Sequence, residues 1–134
     1  MNMPVEIEAK LKIDSLDEIS AKLAELGGKL CGNVLQRDYY FDDPKGKMVK
    51  SDTALRLRCE EGSAGRKIVL GHKGPRLDGK YKRREELQVV VDSAETTIAL
   101  LIAIGFSKSL VLEKRRQLWN LDDCQIALDH VPLL

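Results

Sequence analysis

No stretch of this chain approaches the ~20 consecutive apolar residues that a membrane span requires. The opening Met1-Asn2-Met3-Pro4 has neither the basic nor the apolar segment of a secretory leader. Cysteine is scarce: Cys31, Cys59 and Cys124 make three, an odd number without metal-type spacing. That usage fits a reducing compartment better than a disulfide framework, and a cytoplasmic protein is the expectation. Net charge is nearly absent as well. Lys plus Arg is 22 and Asp plus Glu is 21, for a net charge of +1, so bulk attraction to nucleic acid is not expected. Gly71–Gly74 is too short for a phosphate loop, because no Gly-rich run leads into a helix through Lys-Ser/Thr. No Ser-His-Asp or Cys-His arrangement can be argued from the residue order. Neither a low-complexity segment nor a linker divides the chain. Its 134 residues and 15.0 kDa suit a single domain, residues 1–134, with a real core.

What the chain does have is charge arranged along strands. Pro4–Ile13 reads as a strand. Successive side chains alternate faces, so Val5, Ile7, Ala9 and Leu11 share one face and Glu6, Glu8 and Lys10 the other. Ser15-x-x-Glu18 is a capping box before a helix whose stripe is Leu16, Ile19, Leu23 and Leu26, and Gly27-Gly28 stops it. Strands are expected at Asn33–Asp42, Thr53–Glu60, Arg66–Lys73, Lys80–Val91, Ser109–Trp119 and Cys124–Asp129. Turns fall at Asp43–Gly46, Gly62–Gly65, Leu77–Gly79 and Asn120–Asp123, and Gly74-Pro75 is expected to break its strand. Asp92-Ser93 caps a second helix that ends at Gly105. This is an α+β chain of about seven strands and about two helices. Its short connections favour antiparallel pairing.

The charged alternation recurs down these strands. Arg56 and Arg58 alternate with Leu55 and Leu57, and Lys82, Arg84, Glu86 and Gln88 share a face. Lys114 and Arg116 share another, and Asp129 lies opposite Ile126 and Leu128. A charged strand face ordinarily points to water. The alternative is that these faces turn inward around a highly charged ligand. Cations and carboxylates lining a closed barrel would be costly to desolvate alone. A polyphosphate with divalent cations removes that cost: Arg and Lys neutralise phosphate oxygens, and carboxylates hold Mg2+ or Mn2+.

Seven motifs in order resemble the CYTH superfamily, the triphosphate tunnel metalloenzymes. Glu6-x-Glu8-x-Lys10 resembles its first-strand signature, and Gln36–Asp42 its Gln-x-Asp-x-Tyr-Phe-Asp strand. Leu55–Arg58, Lys73-Gly74-Pro75, Arg84–Glu86, Lys114–Arg116 and Leu128–Val131 resemble its Leu-Arg-x-Arg, Lys-Gly-Pro, Arg-x-Glu, Lys-x-Arg and Leu-Asp-x-Val elements. The resemblance implies an antiparallel eight-stranded tunnel-like β-barrel with flanking helices. It makes Glu6, Glu8, Glu86 and Asp129 metal-site acids, with Mg2+ or Mn2+ as the metal. It makes Lys10, Arg56, Arg58, Lys73, Arg84, Lys114 and Arg116 phosphate clamps.

The implied chemistry is triphosphate hydrolysis, as in tripolyphosphatases and thiamine triphosphatases, or conversion of ATP to cyclic AMP. The Lys-Gly-Pro and Arg-Glu-Glu elements look closest to the class IV adenylyl cyclase-like branch. The implied ligand is a triphosphate-containing small molecule: ATP, tripolyphosphate or thiamine triphosphate. The family continues past Leu-Asp-x-Val into a last strand with another acidic pair, whereas this sequence ends at Val131-Pro132-Leu133-Leu134. A tunnel lacking its last strand is therefore expected, open along one side, exchanging strands or dimerising at Cys124–Asp129. Two other readings stay open: a polyphosphate- or nucleotide-binding module without turnover, and a small barrel for single-stranded nucleic acid. The balance of acids within the strands argues against the second. His72 and His130 are expected to face outward, and Tyr39, Tyr40 and Phe41 to pack in the core, with Asp38 and Tyr40 either lining the tunnel or packing at its rim.

Overall fold

A computed structural model of the protein describes residues 5–8, 16–79 and 82–130. The elements run β1 (Val5–Glu8), α1 (Leu16–Glu25), β2 (Lys29–Asp42), α2 (Lys47–Lys50), β3 (Ala54–Gly62), β4 (Gly65–Leu77), β5 (Lys82–Val91), α3 (Ala94–Ala103), β6 (Ser107–Leu121) and β7 (Cys124–His130). The strands form one 7-stranded antiparallel sheet in the order β1-β5-β4-β3-β2-β6-β7. It curls into a half-barrel. Among the described residues β1 pairs only with β5 and β7 only with β6. Among the described residues these two edge strands do not pair with each other.

Period-2 alternation sorts the strands into an apolar and a charged side. On the apolar side Phe41, Leu57 and Ile68 pack with Leu101 of α3, flanked by Tyr39, Leu55, Leu70, Val91, Ile98 and Phe106. Leu57 is 0% exposed, and burying a leucine fully is worth ~1.5–3 kcal/mol. Leu23 of α1 packs against Trp119 and Leu128 in a second cluster. Both Leu23 of α1 and Leu101 of α3 pack on the apolar side, and on the charged side Gln36 and Asp38 are 1% and 2% exposed.

Local signals hold where side chains satisfy backbone groups. The Ser93 hydroxyl accepts a hydrogen bond from Thr96 N–H (3.1 Å) and caps α3. Gly105, at φ 107°, ends that helix. The capping box at Ser15 and the strand beyond Glu8 lie outside the described residues.

Two expectations change. Gly74-Pro75 does not break β4, which runs on to Leu77 with a register slip between Lys73 and Arg76. Pro75 lacks an N–H, and a slip of this kind is where a sheet tolerates that. The turn at Asp43–Gly46 leads into the short helix α2. Its first turn is fixed by the buried Asp42 carboxylate, which accepts from Met48 N–H (2.9 Å) and Val49 N–H (3.3 Å). Four residues are too few to show a helical period.

Candidate functional site

Residues paired across neighbouring strands share a face, so the register alone assembles the charged side. On β1 and β5, Glu6 sits opposite Arg84 and Glu8 opposite Lys82. Glu86 faces Lys73, which faces Ala54, two residues before Arg56. Arg56 faces Tyr40, Arg58 faces Asp38, and Glu60 faces Gln36, which also faces Lys114. Arg116 faces Asp129. Arg56, Arg58, Lys73, Arg84, Glu86, Lys114, Arg116 and Asp129 therefore share one face of the sheet. Glu6 and Glu8 hold matching register positions on β1, and their side chains, like Lys10 as a whole, lie outside the described residues.

The side chains form three groups. In the first, Arg58 Nε and Nη2 donate to the two Asp38 oxygens, both at 2.8 Å. Such a bidentate pair is among the stronger protein hydrogen-bond arrangements. Burial opposes ionisation of Asp38, but the bonds from Arg58 and its charge outweigh it, and the carboxyl is held below its usual range. Beside this pair Gln36 Nε2 donates to Glu60 (2.6 Å), while the buried Gln36 Oε1 has no partner among the described residues.

In the second, Arg116 Nε and Nη2 donate to Asp129 at 2.6 and 2.8 Å, and Lys114 Nζ donates at 3.2 Å. Burial again works against the Asp129 carboxylate, and Arg116 and Lys114 prevail, leaving it at about 2. Lys114 is pushed the other way: burial, then the charges of Arg116 and Arg58, lower its pKa against the pull of Asp129. Arg58, Lys114 and Arg116 thus act on one another as a cation cluster.

In the third, at the β5 end, Arg84 Nη2 donates to Asp52 (3.0 Å), and Glu86 accepts a hydrogen bond from Gln88.

Asp38 was readable as tunnel lining or rim packing, and it stands on the charged face, ion-paired. Gln36 and Glu60 were missed, although each sits two residues from a charged neighbour on its strand. Asp52 had no such signal, because it lies in a turn and meets Arg84 only through tertiary structure. His72 and His130 stand opposite Leu55 and Arg115 on the outer face, as expected.

Carboxylate oxygens suit Mg2+ or Mn2+. Among the described residues, however, no three His, Cys, Asp or Glu converge on a point, and Asp129 is engaged by Arg116 and Lys114. Acid-bearing positions come together at β1 and β5, where Glu6 is one diagonal step in register from Glu86. A metal fits the residue types there.

This arrangement of a charged inner face and outer helices is that of a known family. The chain belongs to the CYTH domain family, whose match covers residues 4–134. A Methanocaldococcus jannaschii protein provisionally named an adenylate cyclase is 30% identical over 127 residues, 95% of this chain and 70% of that protein. A solved Pyrococcus horikoshii protein superposes with TM-score 0.81 at 30% identity, covering 90% of this chain and 68% of the other. A Hippeastrum protein of adenylyl cyclase type, described as having a dominant triphosphatase activity, shares the fold at TM-score 0.70 and 16% identity, over 90% of this chain and 70% of its own. Among the described residues no helix is long and apolar enough to cross a membrane.

Proposed function

We propose that this protein is an enzyme that processes a triphosphate substrate, with Mg2+ or Mn2+ as its metal. The observation that carries this reading is the gathering of Arg56, Arg58, Lys73, Arg84, Lys114 and Arg116 on one face of a curled sheet. A group of cations this dense is costly to bring together without an anion of high charge. Burial, then the charges of Arg116 and Arg58, lower the Lys114 pKa, and a phosphate chain would offset that. The family membership and the names of relatives point the same way.

No side-chain nucleophile is needed. Arg58, Lys114 and Arg116 would bind one part of the phosphate chain, and Arg84 and Lys73 another. They would hold it in line for attack and stabilise charge developing on its oxygens. In hydrolysis a water oxygen attacks the terminal phosphorus and the bond to the bridging oxygen breaks. In cyclisation the ribose 3′-oxygen attacks the α-phosphorus and pyrophosphate leaves. A bound Mg2+ or Mn2+, with Glu6, Glu8 and Glu86 as its acids, would supply further charge neutralisation and activation of the attacking oxygen. Asp129 would join them only after exchanging its present partners.

A second reading is favoured by one observation. The Asp38 and Asp129 carboxylates are already taken up by Arg58, Arg116 and Lys114, as in a module that binds polyphosphate without turnover. Incubation with ATP, tripolyphosphate or thiamine triphosphate and Mg2+ or Mn2+, with cyclic AMP, pyrophosphate and orthophosphate resolved, decides between them. Metal-dependent product release supports the enzyme. Binding with no product supports the module.

A further inference from the structure

Arg84 is held from outside the strands. The short helix α2, fixed by Asp42, runs into a turn at Asp52, whose backbone is left-handed at φ 55°. Thr53 N–H returns to Met48 O (2.9 Å), which closes the turn. The Asp52 carboxylate accepts from Arg76 through its backbone N–H (3.0 Å), Nε (3.2 Å) and Nη2 (3.2 Å), and from Arg84 Nη2 (3.0 Å). Arg76 lies just past the register slip in β4 and opposite Arg84 on β5. One carboxylate therefore ties together the turn after α2, the irregular part of β4 and the clamp strand β5.

The two arginines differ in setting. Arg76 is 60% exposed, whereas the Arg84 side chain is 15% exposed. Arg84 Nε is buried and has no partner among the described residues. A buried donor left without an acceptor is expensive, and Arg84 stands on the face that carries the other cations. The Asp52–Arg76 pair is too exposed to add much stability of its own, so simple stabilisation explains little of this arrangement.

We infer that Asp52 is a positioning residue for Arg84, holding one guanidinium nitrogen so that the guanidinium is presented to a phosphate oxygen of the bound triphosphate. This rests on the triphosphate reading above. Arg76 supplies the larger influence in keeping the Asp52 carboxyl at about 2, so Asp52 is ionised throughout the neutral range. Arg76 fixes the carboxylate, and the carboxylate fixes Arg84. The register slip at Gly74-Pro75 lies next to this contact.

The test is a double-mutant cycle read by calorimetric titration with tripolyphosphate. Asp52→Asn and Asp52→Gly both tolerate the left-handed backbone, so at least one keeps the fold, and melting temperatures check this. Arg84→Gln should weaken tripolyphosphate binding about tenfold. Each Asp52 variant should weaken it several-fold, and Asp52→Asn/Arg84→Gln should bind within about twofold of Arg84→Gln alone, because Asp52 acts through Arg84. Wild-type affinity in both Asp52 variants, or losses that multiply in the double variant, would overturn the positioning role and leave the triphosphate reading standing. Failure of the unmutated protein to take up tripolyphosphate would overturn both.

Discussion

Arg116 and Asp129 face each other across β6 and β7 in a two-pronged ion pair of 2.6 and 2.8 Å, and Lys114 joins the same carboxylate. Asp129 is thereby held at about 2, below its unfolded value. A depressed carboxyl contributes stability that is fully present above its unfolded pKa and is lost as pH falls through its folded one. The stability difference between the wild type and Asp129→Asn should therefore be constant above about pH 4 and fade as pH falls towards about 2. Urea unfolding at a series of pH values measures it. A difference that grew in acid would contradict the ion pair.

The Asp38–Arg58 pair is more deeply buried, with side chains 3% and 13% exposed. Removing one partner strands the other charge. Asp38→Ala should cost ~3–5 kcal/mol, and replacing both residues by apolar ones of similar volume should cost less. Chemical denaturation of the single and double variants separates the two cases.

Lys114 carries the opposite sign. Burial and the nearby arginines lower its pKa, so in the absence of anion its charge costs stability. Lys114→Met should keep or raise the melting temperature while weakening tripolyphosphate binding about tenfold. In the wild type, a bound anion should raise the Lys114 pKa again. Affinity should fall on the alkaline side as Lys114 discharges, starting below its ordinary 10.5. Thermal melts and titrations at several pH values follow both effects.

Leu57 provides a control on the other face of the same strand. Fully buried against Phe41, Ile68 and Leu101, it should cost ~2–5 kcal/mol on truncation to Ala. Tripolyphosphate affinity of the folded fraction should be unchanged, which denaturation and titration check together.

Much of this arrangement was legible in the chain because a strand writes its two faces into alternate residues. Leu55-Arg56-Leu57-Arg58 separates core from clamp by itself, and the register then aligns Arg58 with Asp38 and Arg116 with Asp129. Which way the charged face turned was not legible locally, since a solvated face has the same alternation. Curvature is a property of the whole sheet. Asp52 could not be found by spacing, because it lies 24 residues from Arg76 and 32 from Arg84 and meets them through a turn. Gly74-Pro75 misled for a related reason: a residue pair that breaks an isolated strand is accommodated by a register slip once β5 is in place.

Calorimetric titration of the protein with tripolyphosphate, with and without Mg2+, tests most directly whether the charged face is a triphosphate site. Saturable binding is expected, displaced by ATP, weakened by added salt and reduced at least about tenfold by Arg116→Gln. Absence of binding under both conditions, or equal binding by Arg116→Gln, would contradict it.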